Sequence, residues 1–184
     1  MDKTSSACRH WLVAGLFVLV LGSLGFGIYA WSFADRVAFL PPLLDQPLAL
    51  RQDTHGRGTF GAPRSGRRHH RGVDLEAPVG TPVRAVKGGW VVEARRDRGM
   101  GNYVEVAHGG GLSTLYAHLL RLDVRPGAHV RQGQLLGLVG KTGNARARDI
   151  APHLHFEVHQ DGRPIDPVNN YLKPYFKRID DGGE

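Results

Sequence analysis

Cysteine is almost absent from this chain: Cys8 is the only one in 184 residues. No intramolecular disulfide can form, so burial and hydrogen bonding must hold the fold. Long hydrophobic runs are also scarce, with one near the start and none after it, which leaves room for a single domain of ordinary size. Internal repeats and low-complexity tracts are missing, which excludes solenoid and array architectures. No convincing amphipathic helical pattern follows residue 34. Aromatic residues are not interleaved with basic ones in stacking strips, and no recognition motif is present, so nucleic acid fits poorly as a partner.

The one long apolar run, Trp11 to Ala34, carries no formal charge over 24 residues. At 1.5 Å per residue it can cross a hydrocarbon core of about 30 Å. It is expected to be a transmembrane anchor over 11–34, preceded by a cytoplasmic N-terminus over 1–10 that carries Lys3 and Arg9. A cleaved signal peptide is the rival reading, for which Ser32-Phe-Ala34 offers a small-residue site, although signal h-regions run only about 7–15 residues. Residues 35–55, with Pro41, Pro42 and Pro47, read as a semi-extended stalk or linker. With Lys3, Arg9 and Asp2 set aside, 22 basic residues face 16 acidic ones from residue 35 onward, so this surface attracts anions. Arg64, Arg67, Arg68 and Arg71 crowd one segment, and Arg95, Arg96 and Arg98 fill a predicted loop.

Short alternating or apolar runs follow at 83–86, 89–94, 102–107, 112–118, 135–139 and 153–159, punctuated by Gly, Pro, Asn and Asp. They predict an all-β fold of mainly antiparallel sheets. In the last run Leu154, Phe156 and Val158 recur at period 2, which places His153 and His155 together on the other face. At a rise of about 3.3 Å per residue the two stand roughly 6–7 Å apart at the backbone, so one can bind a metal while the other addresses a water on it. Upstream, His70-Arg-Gly-Val-Asp74 offers a nitrogen and an oxygen donor, with Gly72 leaving room for close backbone approach. His118 closes the run Leu112–His118, where it shares parity with Leu112, Thr114 and Tyr116. These residues can supply three metal ligands and proton-transfer groups around one open coordination position, which is what a hydrolytic zinc site needs. Glu157 shares the parity of His153 and His155 and reads as a solvent-facing carboxylate, with orientation of an imidazole as the second reading. His10, His55, His69, His108, His129 and His159 are read as surface or structural.

His-x-Gly-x-Asp at 70–74, Tyr-Ala-His-Leu at 116–119 and His-Leu-His-Phe-Glu at 153–157 together resemble the lysostaphin/LytM-type family of zinc endopeptidases that cleave peptidoglycan. Supporting matches are Phe60-Gly-Ala-Pro-Arg64, Ala77–Val83, Gly101–Val104, Gly133–Gly137 and Gly140–Gly143, so the resemblance spans about 56–168. It implies a barrel-sandwich type of fold with a groove, a metallopeptidase domain over 56–170 and a C-terminal tail over 171–184. It further implies Zn2+ as cofactor, with His70, Asp74 and His155 as its ligands and His118 and His153 as the catalytic histidines. Peptidoglycan stem peptides would be the substrate, and the anchor would hold the domain outside the inner membrane, in the periplasm of a Gram-negative envelope. Which crosslink is cut stays open among D-Ala–diaminopimelate, lysine-type and glycine-bridge bonds. Some relatives have lost ligands and survive as non-catalytic regulators of amidases, whereas the complete set here implies a working enzyme. Val124–Leu136 also resembles the turn-and-strand pattern of biotinyl or lipoyl carriers, but none of Lys87, Lys141, Lys173 and Lys177 sits in the hairpin a carrier needs.

Overall fold

The computed structural model describes residues 38–64 and 66–176. The segments 1–10 and 11–34 lie outside these residues, as does the tail beyond 176. No helix among the described residues is long and apolar enough to cross a membrane.

The described chain is built from strands: β1 (Gln52–Asp53), β2 (Gly56–Arg57), β3 (Val73–Glu76), β4 (Pro82–Arg84), β5 (Gly89–Asp97), β6 (Gly101–Gly109), β7 (Leu112–Leu122), β8 (His129–Val130), β9 (Leu135–Val139), β10 (His153–Gln160) and β11 (Arg163–Ile165). Short helical turns occur at Gly143–Arg146, Val168–Leu172 and Lys173–Tyr175. The β1–β2 hairpin stands apart from a nine-stranded antiparallel sheet with the path β11-β10-β7-β6-β5-β8. Off that path, β3 pairs with the first half of β10, and β9 joins β7 at Leu119–Leu122 and carries β4. The all-β expectation therefore holds for the described residues, and each predicted run overlaps a strand, although β4 ends at Arg84 and leaves Ala85 and Val86 of the run 83–86 beyond it.

Alternation along the strands fills one core. Val73 and Leu75, Val104 and Val106, and Leu154, Phe156 and Val158 bury their side chains in a single cluster with Tyr116, Leu119, Leu136 and Val139. Tyr116 is the deepest polar anchor: its hydroxyl accepts the Val86 N–H at 3.0 Å and lies 3.0 Å from the Thr114 hydroxyl. On the opposite face of the central strands Tyr103, Leu115 and Ala117 form a smaller cluster, next to which the histidines gather.

Both ends of the domain differ from expectation. The described part of the 35–55 stalk is packed into the core, with Phe39, Leu43 and Leu48 buried. Its apolar side chains between the prolines find a hydrophobic surface to cover, and burial decides. The tail segment Tyr171–Phe176 closes over it. The Phe39 and Tyr171 rings stack at 4.1 Å, Tyr175 Oη donates to the Phe39 carbonyl at 2.6 Å, and Leu48 N–H donates to the Tyr175 carbonyl at 3.1 Å. The folded unit thus begins well before residue 56 and runs past residue 170.

Candidate metal centre

The pairing of β3 with β10 places Asp74 directly opposite His155, and Glu76 opposite His153. Directly paired side chains on one face lie about 4.5–5.5 Å apart at Cβ, so a carboxylate and an imidazole meet without strain. His70 arrives from the turn before β3, and Gly72 makes that approach possible. A Cβ built on Gly72 would stand 2.2 Å from the Phe156 carbonyl oxygen, so the close passage at this position requires glycine. The outcome is a compact triangle: His70 Nε2 to His155 Nδ1 is 3.0 Å, His155 Nδ1 to Asp74 Oδ1 is 2.9 Å, and His70 Nε2 to Asp74 Oδ1 is 3.1 Å. All three residues are buried. Zinc bonds of about 2.0–2.1 Å in a tetrahedron put neighbouring ligand atoms about 3.3 Å apart, so the triangle fits one tetrahedral face after slight expansion.

Tautomers strengthen the fit. His70 Nδ1–H donates to the Thr59 carbonyl at 2.8 Å, which turns the Nε2 lone pair toward the triangle. His155 donates from Nε2 to Glu157 Oε1 at 2.9 Å, which turns its Nδ1 lone pair the same way. Two lone pairs and a carboxylate oxygen then converge with no hydrogen between them, an arrangement that calls for a cation. The same geometry attracts a proton. Burial opposes charge on His155, yet hydrogen bonds to Asp74 and Glu157, and their fields, raise its pKa to about 9. For Asp74 burial pushes the carboxyl up, but when the captured proton resides on the imidazoles, hydrogen bonding and charge from His155 and His70 outweigh burial and hold the group well below the usual carboxylate range.

The outer oxygen of Asp74 is held by two guanidiniums, Arg51 Nη2 at 2.9 Å and Arg64 Nη2 at 3.0 Å. Arg64 is therefore half-buried and engaged, whereas Arg67, Arg68 and Arg71 are exposed around the first motif. Glu157 corrects the solvent-facing reading: it is 1% exposed and accepts from both His155 and His159, the latter at 2.5 Å. Strand parity did place it beside His155, but β11 and the turn before β3 cover that end of the strand, so its charge is satisfied by imidazoles instead of water.

His118 departs from its strand parity. With Tyr116 facing the core, alternation would send His118 there too, yet its φ of 63° interrupts the alternation within β7 and swings the ring to the side of His153 and His155. Its ring centre lies 5.0 Å from that of His153 and 5.8 Å from that of His155. The left-handed residue is pinned by the His118 N–H donating to the Met100 carbonyl at 2.9 Å. His118 Nδ1–H donates to the Thr142 carbonyl at 2.9 Å, and His153 Nδ1–H to the Ala151 carbonyl at 2.7 Å. Both rings therefore turn an unprotonated Nε2 inward, and His153 Nε2 lies 3.8 Å from Asp74 Oδ1. Burial, reinforced by the neighbouring imidazoles His155 and His153, pushes His118 down to about 3. Burial likewise lowers His153, against the raising field of Asp74. Two neutral bases thus stand beside the triangle.

The structure brings together all five residues singled out by the motifs. Of the other histidines, His108 is buried between the Gly88 carbonyl and Thr114, His55 pairs with Asp149, His129 packs edge-on against Trp90, and His10 lies outside the described residues. Sequence reasoning missed Arg51, since it falls outside every motif, and the carbonyls of Thr59, Thr142 and Ala151, which no side-chain pattern reveals.

Residues 68–167, more than half of the chain, match peptidase family M23. The chain belongs to this family. It is 44% identical over 102 residues to the DD-carboxypeptidase/endopeptidase Mpg of Neisseria meningitidis serogroup B, covering 55% of this chain and 23% of that protein. It is 42% identical over 99 residues to the peptidoglycan DD-endopeptidase ShyA of Vibrio cholerae, covering 54% of this chain and 22% of that one. The chain thus spans less than a quarter of the length of these relatives. Its fold is similar to that of a zinc-containing peptidase from Vibrio cholerae, with a TM-score of 0.54 and 34% identity over 70% of this chain and 39% of the other. The family match covers His70, Asp74, His118, His153 and His155 but begins after Arg51 and Asp53.

Proposed function

We propose that this M23 peptidase is a zinc-dependent endopeptidase that hydrolyses amide bonds in the peptide crosslinks of peptidoglycan. His70, Asp74 and His155 would hold the metal, and His118 and His153 would be the catalytic histidines. The observation that carries this reading is the convergence of two imidazole lone pairs and one carboxylate oxygen, each 2.9–3.1 Å from the others, with two further neutral imidazoles beside them. Relatives named as endopeptidases and peptidoglycan endopeptidases support the substrate class.

A zinc ion held by two neutral imidazoles and one carboxylate keeps net positive charge and supplies Lewis acidity toward an amide carbonyl and an attacking water. The protein's own groups do the rest. Nε2 of one inward-facing histidine accepts a proton from the attacking water and delivers it to the leaving amine. The other, neutral at rest, takes up a proton from solvent as negative charge develops on the tetrahedral adduct, donates toward that oxygen, and returns the proton when the adduct collapses. Backbone carbonyls fix both tautomers, so neither ring must reorganise before proton transfer. The exposed Arg67, Arg68 and Arg71 favour the approach of carboxylate-rich stem peptides. Residues 11–34 would anchor the chain in the inner membrane with this domain facing the wall, a placement supported by the length and apolarity of that segment and by Lys3 and Arg9 before it.

The test is digestion of purified peptidoglycan by the purified, zinc-loaded chain, with products identified by mass spectrometry. Crosslinked muropeptide dimers should give monomers, one water gained per bond, and a chelator should stop the reaction. Dimers that persist under conditions where the zinc site is filled would reject the proposal.

A further inference from the structure

Arg51 and Asp53 precede the residues that match the family, and they lie in the segment whose prolines suggested a stalk. Arg51 is 4% exposed, and its guanidinium is shared between two carboxylates: Nη2 donates to Asp74 Oδ2 at 2.9 Å and Nη1 to Asp53 Oδ2. Asp53 Oδ2 also accepts the Ala151 N–H at 3.2 Å, and the Ala151 carbonyl is the group that accepts from His153 Nδ1. A continuous path therefore runs from the outer oxygen of Asp74, through Arg51, Asp53 and the backbone of Ala151, to the His153 ring. The backbone beneath it is equally tied, with Arg51 N–H on the Asp74 carbonyl at 2.9 Å, Asp74 N–H on the Gly58 carbonyl at 2.8 Å and Gly58 N–H on the Arg51 carbonyl at 2.8 Å. Gly58 allows this crowding, since a Cβ there would meet the Asp74 carbonyl oxygen at 2.7 Å.

Stability alone is a poor reason for such an arrangement. A buried guanidinium loses its hydration, its Nε–H here has no hydrogen-bond partner, and buried ion pairs commonly add little over apolar packing. What the pairing does supply is direction. We propose that Arg51 and Asp53 are positioning residues that complete the M23 site from outside the family segment. Arg51 occupies the outer oxygen of Asp74, so that only Oδ1 faces the ligand triangle. Asp53 holds the backbone at Ala151, just past the turn at 147–150, so that the Ala151 carbonyl selects the Nδ1–H tautomer of His153 and leaves Nε2 free toward substrate. The consequence for turnover rests on the proposed role of His153; the consequence for its tautomer does not.

The experiment compares the full chain with Asp53→Ala and Asp53→Asn, reading zinc per chain, kcat and KM on crosslinked wall peptides, and the ring 15N signals of His153. Asp53→Ala should keep one zinc and its KM, lose about ten- to a hundredfold in kcat, and show a mixture of His153 tautomers in place of Nδ1–H alone. Asp53→Asn keeps an oxygen for the Ala151 N–H and should recover most of both signals. An unchanged kcat per bound zinc together with an unchanged His153 tautomer in Asp53→Ala would overturn the inference, even with a lowered melting temperature. Should wild type cleave no wall peptide, the ring 15N signals still decide the positioning claim on their own.

Discussion

Replacing Gly72 by alanine tests the construction of the metal centre at its tightest point. The added Cβ would lie 2.2 Å from the Phe156 carbonyl oxygen, 2.8 Å from Glu157 Cγ and 2.9 Å from the Phe156 carbonyl carbon. Two of those atoms are backbone of a paired strand and cannot rotate away. An ordinary carbon–oxygen contact is about 3.3 Å or more, so the turn carrying His70 must retreat from β10 by about 1 Å. Ligand distances tolerate only about 0.2 Å, so this retreat would break the triangle between His70, Asp74 and His155. Disturbing groups that merely support a ligand costs about 10–100-fold in metal affinity, and displacing the ligand itself should cost at least about a hundredfold. Overpacking adds about 1–3 kcal/mol of destabilisation, or a melting temperature lower by about 4–12 °C. Zinc affinity by chelator competition and melting curves with and without zinc read both effects. Wild-type affinity with an unshifted melting temperature in Gly72→Ala would refute the reasoning.

Further outcomes follow from the same geometry. His70→Ala, Asp74→Ala and His155→Ala should lose zinc and turnover together, whereas His118→Ala and His153→Ala should keep zinc and lose about a hundredfold or more in kcat; metal analysis beside single-turnover kinetics separates the two groups. Tyr116→Phe leaves the Val86 N–H without its acceptor and should cost about 1–3 kcal/mol in denaturant titration, with activity per folded molecule unchanged. In the zinc-free chain His118, near 3 when folded, lies below its unfolded value of about 6.5, so its stabilising contribution is present above about pH 6.5 and lost as pH falls toward 3. His108 and His153 act in the same direction, while His155, raised to about 9, contributes below about 6.5 and loses that contribution as pH rises through 9. Denaturation curves across pH should show a shallower acid slope in His118→Asn. Fused to a C-terminal reporter active only outside the cytoplasm, the full chain should score positive and stay in the membrane fraction at uncleaved mass; a soluble product beginning at Asp35 would show processing instead.

Most of the sheet was legible because alternation is a local signal. Leu154, Phe156 and Val158 announce β10 and its buried face without help from the rest of the chain. The same local logic fails where the backbone leaves the strand: His118 sits at a left-handed residue held by the Met100 carbonyl, and only that distant partner shows which way the ring turns. Grouping the five motif residues was possible from spacing and resemblance, yet their tautomers depend on the carbonyls of Thr59, Thr142 and Ala151, which every residue type supplies. Arg51 was invisible for a further reason. Its segment carries the prolines of a linker, and its role depends on Phe39, Leu43 and Leu48 finding a core built by strands far along the chain.

X-ray absorption at the zinc edge of the purified full chain, together with metal content, tests the central claim most directly. One zinc per chain with only nitrogen and oxygen neighbours at about 2.0–2.2 Å is the result this site predicts, and Asp74→Ala should abolish it. Substoichiometric metal, or a sulfur neighbour near 2.3 Å supplied by Cys8, would contradict a centre built from His70, Asp74 and His155.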